Sequence, residues 1–129
     1  MAKFILLIDD DQDDADIFFD AVKELGSENS VHHFANGINA LESLNLQAEP
    51  LPDIIFLDIN MPLINGWACL RSIKQIAHLR NIPIVMYSTS NLTRETINAK
   101  DIGASAFLTK PSNFADLKSE LSSLFRRFL

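Results

Sequence analysis

The sequence predicts an α/β fold: a five-stranded parallel sheet, doubly wound, with helices on both faces. Two observations carry this. Short apolar runs alternate five times with longer amphipathic or polar stretches, in strict order along the 129 residues. The clearest runs are apolar at every position, as expected of strands covered on both faces rather than one.

Each element can be justified in turn. Phe4-Ile5-Leu6-Leu7-Ile8 is a strand that stops at Asp9. Ile17, Phe18, Ala21, Val22 and Leu25 then form a helical stripe closed by Gly26. Val31 to Ala35 predicts a second strand, and after Asn36-Gly37 a helix turns Leu41 and Leu44 inward. Pro50 and Pro52 precede the third strand, Ile54 to Leu57, which again ends on an acid, Asp58. A loop with Met61-Pro62 and Asn65-Gly66 leads to a helix with Leu70, Ile73, Ile76 and Ala77 inward. Pro83 opens the fourth strand, Ile84 to Tyr87, followed by Ser88-Thr89-Ser90. A polar helix with only Leu92, Ile97 and Ile102 apolar stops at Gly103. Ala106 to Thr109 is the fifth strand and ends at Lys110-Pro111. Phe114, Leu117, Leu121, Leu124 and Phe128 make the last helical stripe. No linker, repeat or low-complexity stretch divides the chain, so residues 1–129 read as one domain with no output domain. Crossovers are expected to be right-handed.

Composition narrows the function classes. The net charge of −6 sits entirely in residues 1–20, where seven aspartates face one lysine; the rest is balanced, ten acids against ten bases. With no basic patch, contact with nucleic-acid phosphates is not expected. The longest apolar runs are four to five residues, far short of the ~20 that span a bilayer. The early acids do not suit a signal peptide. A lone Cys69 supports neither a disulfide framework nor a thiol metal site. A cytoplasmic location is the expectation.

In an open parallel sheet, ligands bind beyond the carboxyl ends of the strands. Those ends deliver Asp9 and Asp10, Asp58, Ser88 and Lys110. Three carboxylates held together require a cation. Hard oxygen ligands select Mg²⁺ or Mn²⁺ and leave room for a phosphoryl oxygen. The residues thus describe a metal-assisted phosphoryl site with Lys110 as a second counter-charge. Asp13, Asp14 and Asp16 are assigned to the helix start, where acids are favoured, and Asp11 is a candidate cap. His32 and His33 read as ordinary strand residues, because neighbours on a strand point to opposite faces. Cys69 and Trp67 read as packed side chains.

Asp9-Asp10 after an apolar strand, Leu57-Asp58-Ile59-Asn60-Met61-Pro62 with Gly66, Ser88-Thr89, and Phe107-Leu108-Thr109-Lys110-Pro111 together resemble the receiver domain of two-component response regulators. The likeness covers essentially the whole chain. It implies a flavodoxin-like (βα)5 fold with strand order 2-1-3-4-5, in a stand-alone layout similar to the chemotaxis response regulator. It further implies that Asp58 accepts a phosphoryl group from a sensor histidine kinase or histidine phosphotransfer protein. Asp10, Asp58 and the backbone carbonyl of Asn60 would ligate Mg²⁺, with Asp9 acting through water. Lys110 would pair with the phosphoryl oxygens, and its peptide bond to Pro111 would be cis. Ser88 and Phe107 would form the switch. The downstream protein partner is unnamed, and a homodimer through the fourth helix, fifth strand and fifth helix is among the arrangements implied. Phe125, Phe128 and Leu129 are candidates for such a partner surface. Thr89, where a small residue is usual, would narrow access to Asp58.

Competing functions lack their residues. A haloacid-dehalogenase-like phosphatase wants a second acid where Asn60 stands. A flavodoxin-like redox carrier wants a Gly- and hydroxyl-rich phosphate loop after the first strand, where this chain has only acids. A degenerate receiver acting as a scaffold would not need the full residue set. The expected function is a signalling switch, not a turnover enzyme.

Overall fold

The computed structural model describes residues 2–46, 50–89 and 93–129. Ser90 and Leu92 of the sequence reading lie outside them. Five strands, β1 (Phe4–Ile8), β2 (Ser30–Phe34), β3 (Ile54–Leu57), β4 (Ile84–Ser88) and β5 (Ala106–Thr109), alternate with five helices. These are α1 (Gln12–Leu25), α2 (Gly37–Asn45), α3 (Gly66–Lys74), α4 (Thr93–Ile102) and α5 (Phe114–Phe128). All strand pairs are parallel, as the apolar runs predict, and their order is β2-β1-β3-β4-β5, as the family resemblance implies.

Strand side chains alternate between two cores. Ile5, Leu7, Ile54, Phe56, Val85 and Tyr87 point towards α1 and α5, where they meet Phe18, Val22 and Leu121. Leu6, Ile8, Ile55, Leu57, Ile84 and Met86 point the other way, onto Ala40, Leu70, Ile73 and Ala99 of α2, α3 and α4. Both faces are covered, which explains why these runs lack polar alternates.

Several expectations shift. β2 begins and ends one residue earlier than Val31–Ala35, because Ser30 pairs with Phe4 in register. Ile17 is exposed: it lies one residue, about 100° of helix, off the stripe that buries Phe18, Ala21 and Val22. α3 stops at Lys74, so Ile76 and Ala77 lie beyond the helix, although Ile76 still packs inward against the same core. They enter a 3-10 turn, Ala77–Leu79, in which Leu79 is buried and Ala77 exposed. Trp67 is only partly buried against its core, whereas Cys69 is fully buried. Phe125, Phe128 and Leu129 pack against the α1-side core, which accounts within the chain for part of the apolar surface expected to meet a partner. Among the described residues, no helix is long and apolar enough to cross a membrane.

Candidate functional site

The carboxyl ends of β1 and β3 lie in register, Ile8 opposite Leu57, so the acids that follow them emerge side by side. The Asp58 N–H donates to the Ile8 carbonyl at 2.9 Å and the Asp9 N–H to the Phe34 carbonyl at 3.0 Å, which extends the ladder into the site. Asp9 is wholly buried and Asp58 nearly so, while Asp10 is exposed. Oxygens of Asp9, Asp10 and Asp58 all lie within 4.8 Å of one another.

Local structure holds each acid in place. Asp9 Oδ1 accepts from the Asp11 N–H at 2.9 Å, and the Asp11 carboxylate caps α1 by accepting from the Asp14 N–H at 3.0 Å. Behind Asp58, the Gly66 N–H donates to the Ile59 carbonyl at 2.7 Å. A Cβ at Gly66 would fall 2.2 Å from the Asp58 backbone oxygen, so only glycine permits this approach.

Lys110 brings the positive charge. Its backbone N–H donates to the carbonyl of the fully buried Ser88 at 2.7 Å, which ties the ends of β4 and β5 together. Its ammonium Nζ lies 2.9 Å from Asp9 Oδ2, 2.9 Å from Asp14 Oδ2 and 3.9 Å from Asp58 Oδ2, over the Tyr87 ring. Burial opposes the ammonium, but the Asp14 and Asp9 contacts outweigh it and raise the Lys110 pKa. Asp58 shows the reverse balance. Burial pushes its carboxyl up to about 7, aided by the charges of Asp9 and Asp10 and only partly opposed by Lys110 and the Ile59 backbone.

The structure therefore unites Asp9, Asp10, Asp58 and Lys110, with Ser88 beside them. Asn60 is exposed two residues beyond Asp58, and Phe107 is half-buried within β5 against the α2–α3–α4 core. Two further residues reach the site. Asp14, assigned from sequence only to the helix start, hydrogen-bonds Lys110 from 96 positions away. His33, read as an ordinary strand residue, donates from Nε2 to the Asp9 carbonyl at 2.7 Å. His32 does behave as a strand residue, stacked beside Phe4 and Phe34. Asp14 had a faint signal: it is the third residue after the cap, where helical side chains lean back towards the N-terminal end.

The donor set fits a hard divalent cation. It offers three carboxylates, and buried Asp9 Oδ2, which meets the Lys110 ammonium at 2.9 Å, accepts no well-aligned hydrogen bond among the described residues. This arrangement can bind a cation, hold a partly protonated carboxylate and present an ammonium to an anionic group.

Comparison with known proteins gives a consistent family. The model of the response regulator receiver domain matches residues 5–122. Response regulator Rcp1 of Synechocystis sp. is 31% identical over 119 residues, covering 89% of this chain and 81% of Rcp1. The probable methanogenesis regulatory protein FilR2 of Methanothrix harundinacea is 30% identical, covering 93% and 79%. Among solved structures, the Mn²⁺-bound form of Rcp1 superposes with TM-score 0.82 at 29% identity, covering 95% of this chain and 91% of that one. The phosphorylated cyanobacterial phytochrome response regulator RcpA gives TM-score 0.88 at 26% identity, covering 99% and 94%.

Proposed function

Because the chain belongs to the response regulator receiver family of two-component systems, we propose that it accepts a phosphoryl group on Asp58 and so switches its protein contacts. The observation that carries this is Asp58 itself. It is buried at the carboxyl end of the central strand, with oxygens of Asp9 and Asp10 within 4.8 Å and the Lys110 ammonium at 3.9 Å.

An Asp58 oxygen attacks phosphorus on a phosphohistidine of a sensor kinase or phosphotransfer protein. The new O–P bond forms as the P–N bond breaks, and the electron pair returns to the imidazole. Asp10, Asp58 and the Asn60 carbonyl would hold Mg²⁺ or Mn²⁺, with Asp9 acting through water; when bound, the cation would neutralise charge on the phosphoryl oxygens. A relative solved with Mn²⁺ supports that class of cation. Lys110 pairs with a phosphoryl oxygen, and the Ser88 hydroxyl donates to another. Phe107, on the strand beside Ser88, carries the change to the face of α4, β5 and α5, where a downstream protein or a second copy of the chain docks.

Incubation with acetyl phosphate and Mg²⁺, followed by intact-mass measurement, tests this. A single phosphoryl adduct is expected in the parent and none in Asp58→Ala. No adduct in the parent, or one that persists in the variant, overturns the assignment. Size exclusion with and without a phosphoryl mimic tests the second-copy reading, which a monomer in both states removes.

A further inference from the structure

We propose that Asp14 is a positioning residue for Lys110: its carboxylate holds the ammonium on the α1 side of the site and keeps Asp58 open to a cation. This rests on the reading of Asp9, Asp10 and Asp58 as the cation site. The ammonium makes two close contacts, each 2.9 Å, with Asp9 and Asp14, and stands 3.9 Å from Asp58. A lysine with only Asp9 and Asp58 in reach would settle between them, because two nearby carboxylates attract one ammonium more than one does. Such an ion pair competes directly with a divalent cation for the same oxygens. Asp14 supplies the alternative partner from the first turn of α1, where its own charge is stabilised by the helix N-terminus.

The geometry makes Asp14 suited to this role. Lys110 is mostly buried, at 10% side-chain exposure, while Asp14 is about one-third exposed and can give up its pairing to water. Asp14 is therefore a releasable holder: it restrains Lys110 while the site loads, and yields it when a phosphoryl oxygen offers a stronger, charge-assisted partner. Asp9 cannot play this part, since it is fully buried and belongs to the carboxylate cluster itself.

Titration calorimetry with Mg²⁺ on the folded protein separates this from a general charge effect. Asp14→Asn preserves shape and removes the ion pair. Asp13→Asn removes an equal, exposed charge one residue earlier. Asp14→Asn should weaken Mg²⁺ binding about tenfold, the scale on which contacting groups couple, and Asp13→Asn by less than about twofold, as screened surface charges do. In a Lys110→Met background the two Asn substitutions should have equal, small effects. Equal effects in the parent background, or an Asp14→Asn loss undiminished by Lys110→Met, overturn the proposal. If the parent binds no Mg²⁺ at all, the cation site fails and the role of Asp14 fails with it, a result distinct from either.

Discussion

The bodies of β1 and β3 and the residues that follow them share the same burial and carry opposite chemistry. Ile8 and Leu57 are 0% exposed, and the next residues, Asp9 and Asp58, are 0% and 5% exposed. In the strand, burial of carbon stabilises the fold by about 25 cal/mol per Å². One peptide further on, burial works against the charged form and lifts Asp58 to a pKa of about 7. The ladder bonds do not stop at the boundary, since the Asp58 N–H still donates to Ile8. The stable part of the sheet thus holds an unfavourable group where free chain would not leave it. Substitutions on the two sides of that boundary should have opposite signs.

Leu57→Ala is expected to give the largest effect, a loss of about 3 kcal/mol from transfer and cavity terms together. Urea unfolding measures it, and a loss below about 1 kcal/mol would mean the strand body is not the anchor. Gly66→Ala should follow at about 2 kcal/mol, because the added methyl must push the Asp58 carbonyl and the Ile59 Cα away. It should also disturb the site, so metal affinity falls together with stability. If Gly66→Ala lowers stability but leaves Mg²⁺ affinity intact, the loop has given way on the α3 side instead.

Asp58→Asn should reverse the sign. Folded Asp58 holds its proton up to about pH 7, whereas in the unfolded chain it is released near 3.8. Between those values the folded state binds more protons, so this group lowers stability progressively as pH rises. The variant should therefore be more stable than the parent at pH 8, with the gain fading as pH falls towards 4. Thermal unfolding across pH, without metal, reads this out. A gain independent of pH would locate the effect in packing rather than in the charge. Adding Mg²⁺ should shrink the advantage by stabilising the parent through its ionised acid.

The sequence made the strand bodies and their terminal acids legible because both are local signals: a buried run has a composition, and its end is marked by where that composition breaks. Asp9, Asp10, Asp58, Ser88 and Lys110 were found in this way. Misplacements arose where local pattern and backbone geometry part. Ile76 and Ala77 continue a helical spacing, yet the chain tightens after Lys74, with the Gln75 N–H bonding Ser72. Asp14 and His33 were missed for a different reason. Each acts on a residue of another element, Lys110 and Asp9, and that depends on how far along its axis a helix or strand sits. No periodicity reports this. In a run of seven aspartates within twenty residues, the one that meets the lysine looks like the rest.

His33 offers the mildest test of the boundary, since it belongs to the edge strand but bonds the first residue of the site. The residue is half-buried, and the stacking of Phe4, His32 and Phe34 involves its neighbour instead. His33→Ala should lower stability by about 1 kcal/mol, the lower end of the cost of leaving a buried acceptor without its donor. The Asp9 carbonyl would lose its side-chain donor, whereas its N–H keeps the bond to Phe34 and its carboxylate keeps the Asp11 N–H. Those two bonds fix Asp9 independently, so Mg²⁺ affinity should change by less than about twofold. A larger fall in affinity than in stability would show that β2 tunes the site through this bond, and that the boundary between scaffold and site lies one strand further out.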